Sequence, residues 1–306
     1  MHSMSNMKDL FKCSEIAIIS DSYEFLKKCS AYEMNVFPLY TLERLEQNNI
    51  VFSFTHVAAK RTFEIAKSSP GSKCLFSASH VFTPSVECAL YSLDLMLNSD
   101  FDGALKVQRE VLTVFNSHLD FDLSGTGSSA HVSISPTAKP YALLSEDIEN
   151  GFIYSIAEFF EVHYAHMKAL DPCPFHVDGT LSVSGILTVL RKPNIALSET
   201  ISEALQKLAT AVALSGAKLT LLNNRVKSFI VDNRDYVDIL DIAAGGRGLN
   251  LTEFAVGVNN NISGLVRFSE NSQMNEGITG VHTAIGDGSS GYHIDFLSPH
   301  VKLVAV

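Results

Sequence analysis

The sequence predicts an α/β fold at the amino-terminal end, followed by a β-rich α+β fold. Up to about residue 123, short apolar runs alternate with segments of helical periodicity, a pattern typical of a parallel sheet. After residue 123, segments that alternate apolar and polar residues become frequent, as in antiparallel sheets. Apolar residues make up 46% of the chain and charged residues only 18%, enough apolar material for a sizeable core. We therefore predict an α/β domain at 1–123 and a β-rich domain at 124–306.

The first domain begins with strands and helices in turn. Strands are predicted at EIAIIS, VFPLY, NIVFSF and KCLFSA. Asp21 or Ser22 caps the helix YEFLKKCSAYEM and Thr55 caps the helix HVAAKRTFEIAKSS, because short polar side chains accept hydrogen bonds from the first helical turn. Two further helices are predicted at VECALYSLDLMLNS and GALKVQREVLTVFNSHL.

The second domain is predicted to be mostly strands. HVSIS, TLSVSGILTVL and AKLTLLNNRVKSFIVD alternate with a period of two, and Asn223-Asn224 sits between two halves of the last segment as a hairpin turn. Two helices are predicted here, one from Asp147 to Leu170 and one at SETISEALQKLATAVALS.

Composition limits the classes of partner. The chain has 23 basic and 33 acidic residues, a formal net charge of −10, which argues against nucleic-acid and membrane-surface binding because both require a basic surface. No apolar run approaches transmembrane length, and the first residues lack the apolar stretch of a secretory signal. The five cysteines are scattered without a C-x-x-C pair, so we expect a reducing, cytoplasmic location. Small molecules, peptides or proteins remain as partners, and for an enzyme we expect a peptide or small-molecule substrate.

The residues that carry chemistry lie in the last quarter. In a strand, Glu253 shares a face with the small residues Ala255 and Gly257, and His282 shares one with Ala284. A polar side chain beside such small neighbours indicates a cavity. In YHIDFL, His293 and Asp295 lie two positions apart and therefore point the same way.

A hairpin brings these side chains together. The Gly-, Ser- and Asp-rich stretch 286–291 is predicted to join the two strands, with Ile285 opposite Tyr292 and His282 therefore opposite Asp295. Two imidazoles and one carboxylate on a hairpin face suit Fe(II), Zn(II) or Mn(II). From spacing alone the alternative stays open that these histidines serve packing or hydrogen bonding in the strands. Glu253 is a fourth oxygen ligand or a general base for a bound water.

The same residues resemble a known family. NLTEFAVGVN, GVHTAIGDG and YHIDFL are similar to the carboxyl-terminal signature of the thermophilic-type metallo-aminopeptidases, aminopeptidase T and S, and of the related 2,5-dihydroxypyridine 5,6-dioxygenases. The matching positions are Glu253, Gly257 and Asn259; His282, Ala284 and Gly286; and His293 and Asp295. The resemblance is specific over about 245–297 and thin over the amino-terminal half.

The resemblance implies a cytoplasmic metallohydrolase of aminopeptidase T-like architecture that forms a homodimer. It implies a divalent ion (Zn, Fe(II), Mn or Co) on His282, His293, Asp295 and Glu253, with Glu253 or Asp171 removing a proton from the attacking water. Asp171 takes the place of a Glu that bridges two metals in the peptidases. The divergent middle segment suggests a specialised biosynthetic peptide as substrate.

Two alternatives stay open. The first is a mononuclear non-haem Fe(II) dioxygenase, which needs only two His and one Asp. The second is a metal-free descendant that acts as a binding or scaffold protein, since a fold does not guarantee activity. A Tyr that follows the first His in the peptidases is replaced here, near Ser289, and the loop before His293 is shortened.

Other candidate sites are weaker. His163 and His166, with Glu158 and Glu161 nearby, are predicted to lie on one helix face. Packing or solvation of that face explains these residues more simply than metal binding does. Cys173 is as readily explained as an inert, buried thiol as by a role in ligation or nucleophilic attack.

Overall fold

The protein combines one parallel and two antiparallel sheets. The computed structural model describes Met7 and residues 10–12, 15–31, 34–148, 151–192 and 199–306. Over these residues the helices are α1 (Tyr23–Cys29), α2 (His56–Lys67), α3 (Val86–Asn98), α4 (Phe101–Ser117), α5 (Glu199–Ser215) and α6 (Val237–Ala244). The strands are β1 (Ala17–Ser20), β2 (Asn35–Pro38), β3 (Asn48–Phe52), β4 (Lys73–Ser77), β5 (Asp120–Gly125), β6 (Ser128–Ile134), β7 (Phe152–Ser155), β8 (Glu161–Ala165), β9 (Phe175–Val183), β10 (Gly185–Val189), β11 (Ala217–Leu222), β12 (Arg225–Val231), β13 (Arg234–Asp235), β14 (Leu251–Gly257), β15 (Gly280–Ile285), β16 (His293–Ser298) and β17 (Lys302–Ala305).

The parallel sheet has the order β2-β1-β3-β4-β7, and each neighbouring pair is parallel. Apolar side chains pack on both of its faces, which is why its central strands read as continuous apolar runs. The predicted caps are confirmed, because Ser22 accepts a hydrogen bond from Phe25 N–H and Thr55 accepts one from Ala58 N–H.

The antiparallel sheets have the orders β13-β12-β11-β9-β6-β5-β17 and β10-β16-β15-β14-β8. Alternate residues of the two sheets share one apolar core, so one face of each sheet is buried against the other. From the first sheet this core includes Phe121, Val132, Val177, Leu219 and Phe229, and from the second Val162, Phe254, Val281, Ile294 and Phe296. The opposite face of the five-stranded sheet is therefore available to carry polar residues.

The Asn223-Asn224 hairpin is confirmed between β11 and β12. Both residues have positive φ angles, 53° and 56°, as a two-residue hairpin turn requires and as Asn tolerates better than most residues.

The helix predicted from Asp147 to Leu170 is wrong. Residues 152–155 form β7 and residues 161–165 form β8, with a short 3-10 turn at 156–159 between them. In β8, Val162 and Tyr164 enter the core between the sheets. The segment is rich in aromatic and β-branched residues, which favour strands, and pairing with β14 decides its conformation.

The parallel sheet includes residues beyond the predicted domain boundary, since β7 pairs with β4. The division at residue 123 stays a prediction. Among the described residues, no helix is both long and apolar enough to span a membrane.

Candidate metal centre

One face of the five-stranded antiparallel sheet carries the polar cluster. Alternation along β14 turns Glu253 towards this face and sends Phe254 into the core, as the sequence predicts. Ala255 lies between His282 on β15 and His163 on β8 in the pairing of the strands. Because Ala255 has a short side chain, the long polar groups on both neighbouring strands have room above it.

The predicted register between β15 and β16 is wrong by two residues. Asp295 lies opposite Ala284, and His282 lies opposite Leu297. A shift of two residues keeps every side chain on its predicted face, so His282, His293 and Asp295 still point the same way. The loop is longer than predicted because Tyr292 leaves the hairpin ladder and its N–H donates to Ala243 at 2.8 Å.

Six side chains form the cluster: Glu161, His163, Glu253, His282, His293 and Asp295. Glu253 is at its centre, with Oε1 3.5 Å from His282 Nε2 and Oε2 3.6 Å from His293 Nε2. On one side of Glu253, ligand atoms of Glu161, His163 and Glu253 lie within 4.8 Å of one another. On the other side, His293 Nε2 lies 3.1 Å from Asp295 Oδ1. Glu161 Oε2 also lies 3.4 Å from His282 Nε2.

Four atoms of the cluster are buried without a hydrogen bond to any described residue. They are Glu161 Oε2, His163 Nδ1, His282 Nε2 and Asp295 Oδ2. Three of the four still lie at ion-pair distance within the cluster, since His163 Nδ1 is 3.2 Å from Glu161 Oε1 and Glu161 Oε2 is 3.4 Å from His282 Nε2. Buried polar atoms that make no hydrogen bond are nevertheless costly, and native proteins rarely leave several of them together. Carboxylate oxygens and imidazole nitrogens are ligand atoms for Zn(II), Mn(II), Co(II) and Fe(II), so the donor set fits a divalent metal.

The orientation of His293 is fixed from behind. Its Nδ1 lies 3.0 Å from the carbonyl oxygen of Gly286, an arrangement in which Nδ1–H donates and Nε2 is left as the electron-pair donor. Thr252 Oγ1–H donates to the same carbonyl at 2.6 Å and holds it in place. Such a support shell is typical of metal-binding histidines.

The cluster shifts the pKa values of its own members. Burial by itself would lower the pKa of His293, but the charges of Asp295 and Glu253 raise it to about 9. Burial by itself would also lower the pKa of His163, but the nearby Glu161 outweighs it and raises that pKa to about 9. Glu253 moves the other way, since its imidazole neighbours outweigh burial and hold its pKa at about 2. The positive charges of the imidazoles and the negative charges of the carboxylates therefore stabilise each other.

Five of the six cluster residues, all except His282, form the floor of a cavity of about 500 Å³. His80 stands on a wall formed by the parallel-sheet part of the chain, with its Nδ1 2.8 Å from Ser53 Oγ. Burial, followed by the nearby His56, lowers the pKa of His80, so this imidazole is neutral near pH 7. Glu276 also lines the cavity, and burial followed by the carboxylates of the cluster raises its pKa well above the usual range.

The structure brings together four of the five residues predicted for the site: Glu253, His282, His293 and Asp295. It does not bring Asp171 to them, because Asp171 is exposed in a turn that borders a separate surface pocket. His166, on the neighbouring turn, also points elsewhere, with Nε2 2.8 Å from the Asp171 carbonyl. Burial raises the pKa of Cys173, which does not line the cavity.

The sequence predicts Glu161 and His163 on a helix face and favours packing or solvation over metal binding, whereas both lie in the cluster on a strand. The signal for both is the alternation in EVHYA, where Glu161 and His163 occupy one face and Val162 and Tyr164 the other. Pairing of β8 with β14 places Glu161 opposite Gly257 and His163 opposite Ala255. Glu161, ten residues before Asp171 in the sequence, is thus the middle-segment carboxylate that lies in the cluster.

The sequence matches, over residues 14–305, the family described as "Crocagin biosynthetic protein CgnE/B". The chain belongs to this family. The match spans both the parallel sheet and the antiparallel sheets, so the cluster lies within the CgnE/B region. No curated protein matches the sequence.

Two solved structures are similar to this CgnE/B member. Wild-type AmpT from Thermus thermophilus has a TM-score of 0.48 at 12% identity, covering 96% of this chain and 92% of AmpT. A 2,5-dihydroxypyridine dioxygenase from Pseudomonas putida KT2440 has a TM-score of 0.45 at 9% identity, covering 99% of this chain and 96% of the dioxygenase.

Proposed function

We propose that the chain is a metal-dependent hydrolase that cleaves a peptide or amide bond. The observation that carries this proposal is the set of four buried donor atoms without hydrogen bonds, three of which belong to residues that line the cavity. Two belong to carboxylates and two to imidazoles, and a divalent cation satisfies both kinds at once.

The donors support two ions that share Glu253. Glu161, His163 and His282 lie on one side of Glu253, and His293 and Asp295 lie on the other. A single Zn(II) takes about four ligands, and a two-His, one-carboxylate iron site takes three protein donors, so six donors exceed both. A carboxylate that reaches imidazoles on both sides is suited to bridge two ions.

Each part of the cavity has a separate role in the proposed hydrolysis. Bound divalent ions would polarise the scissile carbonyl and lower the pKa of a water. Glu253, at the centre of the floor, would hold the ions, and the proton of that water would pass to a carboxylate oxygen of the floor that holds none. The His293–Gly286 hydrogen bond keeps the Nε2 lone pair directed at the floor. The cavity walls hold the substrate and limit its access to bulk water.

The substrate class follows from the family and the cavity. The family description is biosynthetic, which supports a peptide that is being processed in a biosynthetic pathway. A cavity of about 500 Å³ lies within the range of roughly 300–1,000 Å³ that is usual for small-molecule sites, and accommodates a few residues of a peptide.

Metal analysis tests the proposal. We expect protein reconstituted with Mn(II), Co(II) or Zn(II) to retain about two ions per chain by plasma mass spectrometry, and His282→Ala and His293→Ala to lose at least one. His176→Ala is the matched control, because His176 is exposed on the other antiparallel sheet and pairs with Asp178.

Peptide cleavage by the reconstituted protein, followed by mass spectrometry, completes the test. Wild-type protein that retains no ion after reconstitution contradicts the hydrolase and supports a scaffold protein. One Fe(II) per chain with consumption of O2 contradicts it in favour of an oxygenase.

A further inference from the structure

The cavity lining contains one strongly basic side chain among many acidic ones. The described residues that line it include five carboxylates: Glu158, Glu161, Glu253, Glu276 and Asp295. Arg191 is the only Lys or Arg among these lining residues. It follows β10, the strand that pairs with β16, and is exposed, which places it at the rim rather than on the floor.

Arg191 is held by the loop between the two histidine-bearing strands. Its backbone N–H donates to the carbonyl of Gly288 at 2.8 Å. Gly288 has a φ of +70°, and a Cβ at this position would lie 2.9 Å from Arg191 Cγ and 3.1 Å from Cδ. The glycine thus lets the stem of Arg191 pack closely on the loop that joins β15 to β16, and couples its position to the metal-binding hairpin.

Within the part of the chain that the structure describes, the guanidinium of Arg191 has neither an ion-pair nor a hydrogen-bond partner, which leaves its N–H groups available to a ligand. Among the ion pairs of the described residues, none includes Arg191. Its positive charge reaches the cavity, where it opposes the rise in the pKa of Glu276. A guanidinium offers a planar fork of N–H donors that matches a carboxylate with two parallel hydrogen bonds.

The wall built by the parallel-sheet part of the chain carries the polar residues His80 and Ser155, and the rest of it is apolar. Its apolar part includes Ala59, Phe63, Phe76, Ala78, Val81 and Phe82. The Phe63 and Phe76 ring centroids are 5.1 Å apart, and Phe63 is 44% exposed, more than a core residue of its size. An apolar side chain of a bound molecule would bury this surface.

We propose that the substrate is a short peptide with a free carboxylate bound by Arg191 and an apolar side chain packed against the wall of Phe63 and Phe76. This inference rests on the proposed function for the identity of the cleaved bond, but not for the binding itself. The rim then orients the peptide with its carboxylate away from the acidic floor and its amide bond towards the cluster.

A fluorescent peptide pair tests the carboxylate site. The chain contains no Trp, so the emission of a Trp-containing peptide reports only the ligand. The probes are N-acetyl-leucyl-tryptophan and its carboxyl-terminal amide, titrated with protein freed of metal on a chelating resin, and binding is read as anisotropy. Without metal, the preference for the acid over the amide depends on Arg191 rather than on an ion.

We expect wild-type protein to bind the acid about ten-fold more tightly than the amide, as for a hydrogen bond to a charged group. Arg191→Gln should abolish this preference, and Arg191→Lys should keep only part of it, because Lys lacks the planar fork. Lys192→Gln is the matched control: it removes the neighbouring exposed charge, which does not line the cavity, and should keep the full preference. Phe63→Ala should weaken both probes equally.

Equal binding of acid and amide to wild-type protein, no binding of either, or an unchanged preference in Arg191→Gln each overturns the proposal. Circular dichroism of each variant verifies folding, and Arg191→Lys keeps the test valid where Arg191→Gln fails to fold. The two proposals can fail separately. Protein that retains no metal yet prefers the acid contradicts the hydrolase but supports the carboxylate site. Protein that cleaves acid and amide peptides equally well supports the hydrolase but contradicts the carboxylate site.

Discussion

Metal binding to the cluster should release protons and strengthen steeply with pH. His163 and His293 have pKa values raised to about 9, so both imidazoles are protonated at pH 7 in the metal-free protein. A metal binds only the neutral imidazole, and each ion must therefore displace a proton. The two histidines lie on opposite sides of Glu253 and would serve different ions.

The size of the effect follows from the pKa values. Displacing a proton at pH 7 from a group of pKa about 9 costs about 3 kcal/mol, at 1.36 kcal/mol per pH unit, or about 100-fold in affinity. Each ion should therefore bind about ten-fold more tightly for every pH unit gained between pH 7 and pH 9. At least two protons per chain should be released when both ions bind at pH 7, and His282 adds to this number, because Glu253 and Glu161 outweigh burial and raise its pKa.

Calorimetry in several buffers measures both quantities. Mn(II) is titrated between pH 6.5 and 8.5 into metal-free protein, in buffers that differ in ionisation enthalpy, and the slope of the observed heat gives the number of protons. His80→Gln is the matched control, because His80 lines the same cavity, is neutral near pH 7 and lies outside the cluster. This variant should release as many protons as the wild type. Binding without proton release, or with an affinity that stays constant over this pH range, refutes the reasoning.

Three further variants test the structure by chemical unfolding of the metal-free protein. Glu253→Gln should lower the free energy of unfolding by about 3 kcal/mol at pH 7, because the pKa of Glu253 is held at about 2 instead of 4.5. This contribution to stability is present above pH 4.5 and is lost as the pH falls through 2. A loss of stability that is independent of pH contradicts the assignment. Gly257→Ala should cost about 3 kcal/mol, since its Cβ would lie 2.0 Å from the Ile278 carbonyl oxygen, whereas Gly264→Ala, with nothing within 4 Å, should change stability by no more than about 0.5 kcal/mol. Asn224→Ala should cost about 2 kcal/mol through its positive φ and two lost hydrogen bonds, and equal stability of this variant and the wild type argues against the turn.

The faces of the site strands are predictable from sequence because side-chain alternation is a local property. Glu253, His282, His293 and Asp295 each sit beside small or apolar neighbours in a period-2 pattern, and this pattern alone assigns them to one side of the sheet. The mixed α/β and antiparallel architecture follows from the same patterns.

The register and the remaining members of the cluster depend on distant contacts. Tyr292 leaves the hairpin because it bonds to Ala243, about fifty residues away in the chain, and the loop sequence does not reveal that bond. Glu161 and His163 join the cluster only because β8 pairs with β14. Taken alone, the aromatic-rich segment around them satisfies helical periodicity as well as strand alternation.

The most direct test of the two-ion centre is the anomalous scattering of a crystal grown with Mn(II). We predict two peaks on the face of β8, β14, β15 and β16, both within about 2.0–2.3 Å of ligand atoms and both in contact with Glu253. One peak should also contact His282 and the other His293. A crystal grown with saturating Mn(II) that shows no peak at Glu253, or that shows peaks only at exposed carboxylates elsewhere, would contradict the account.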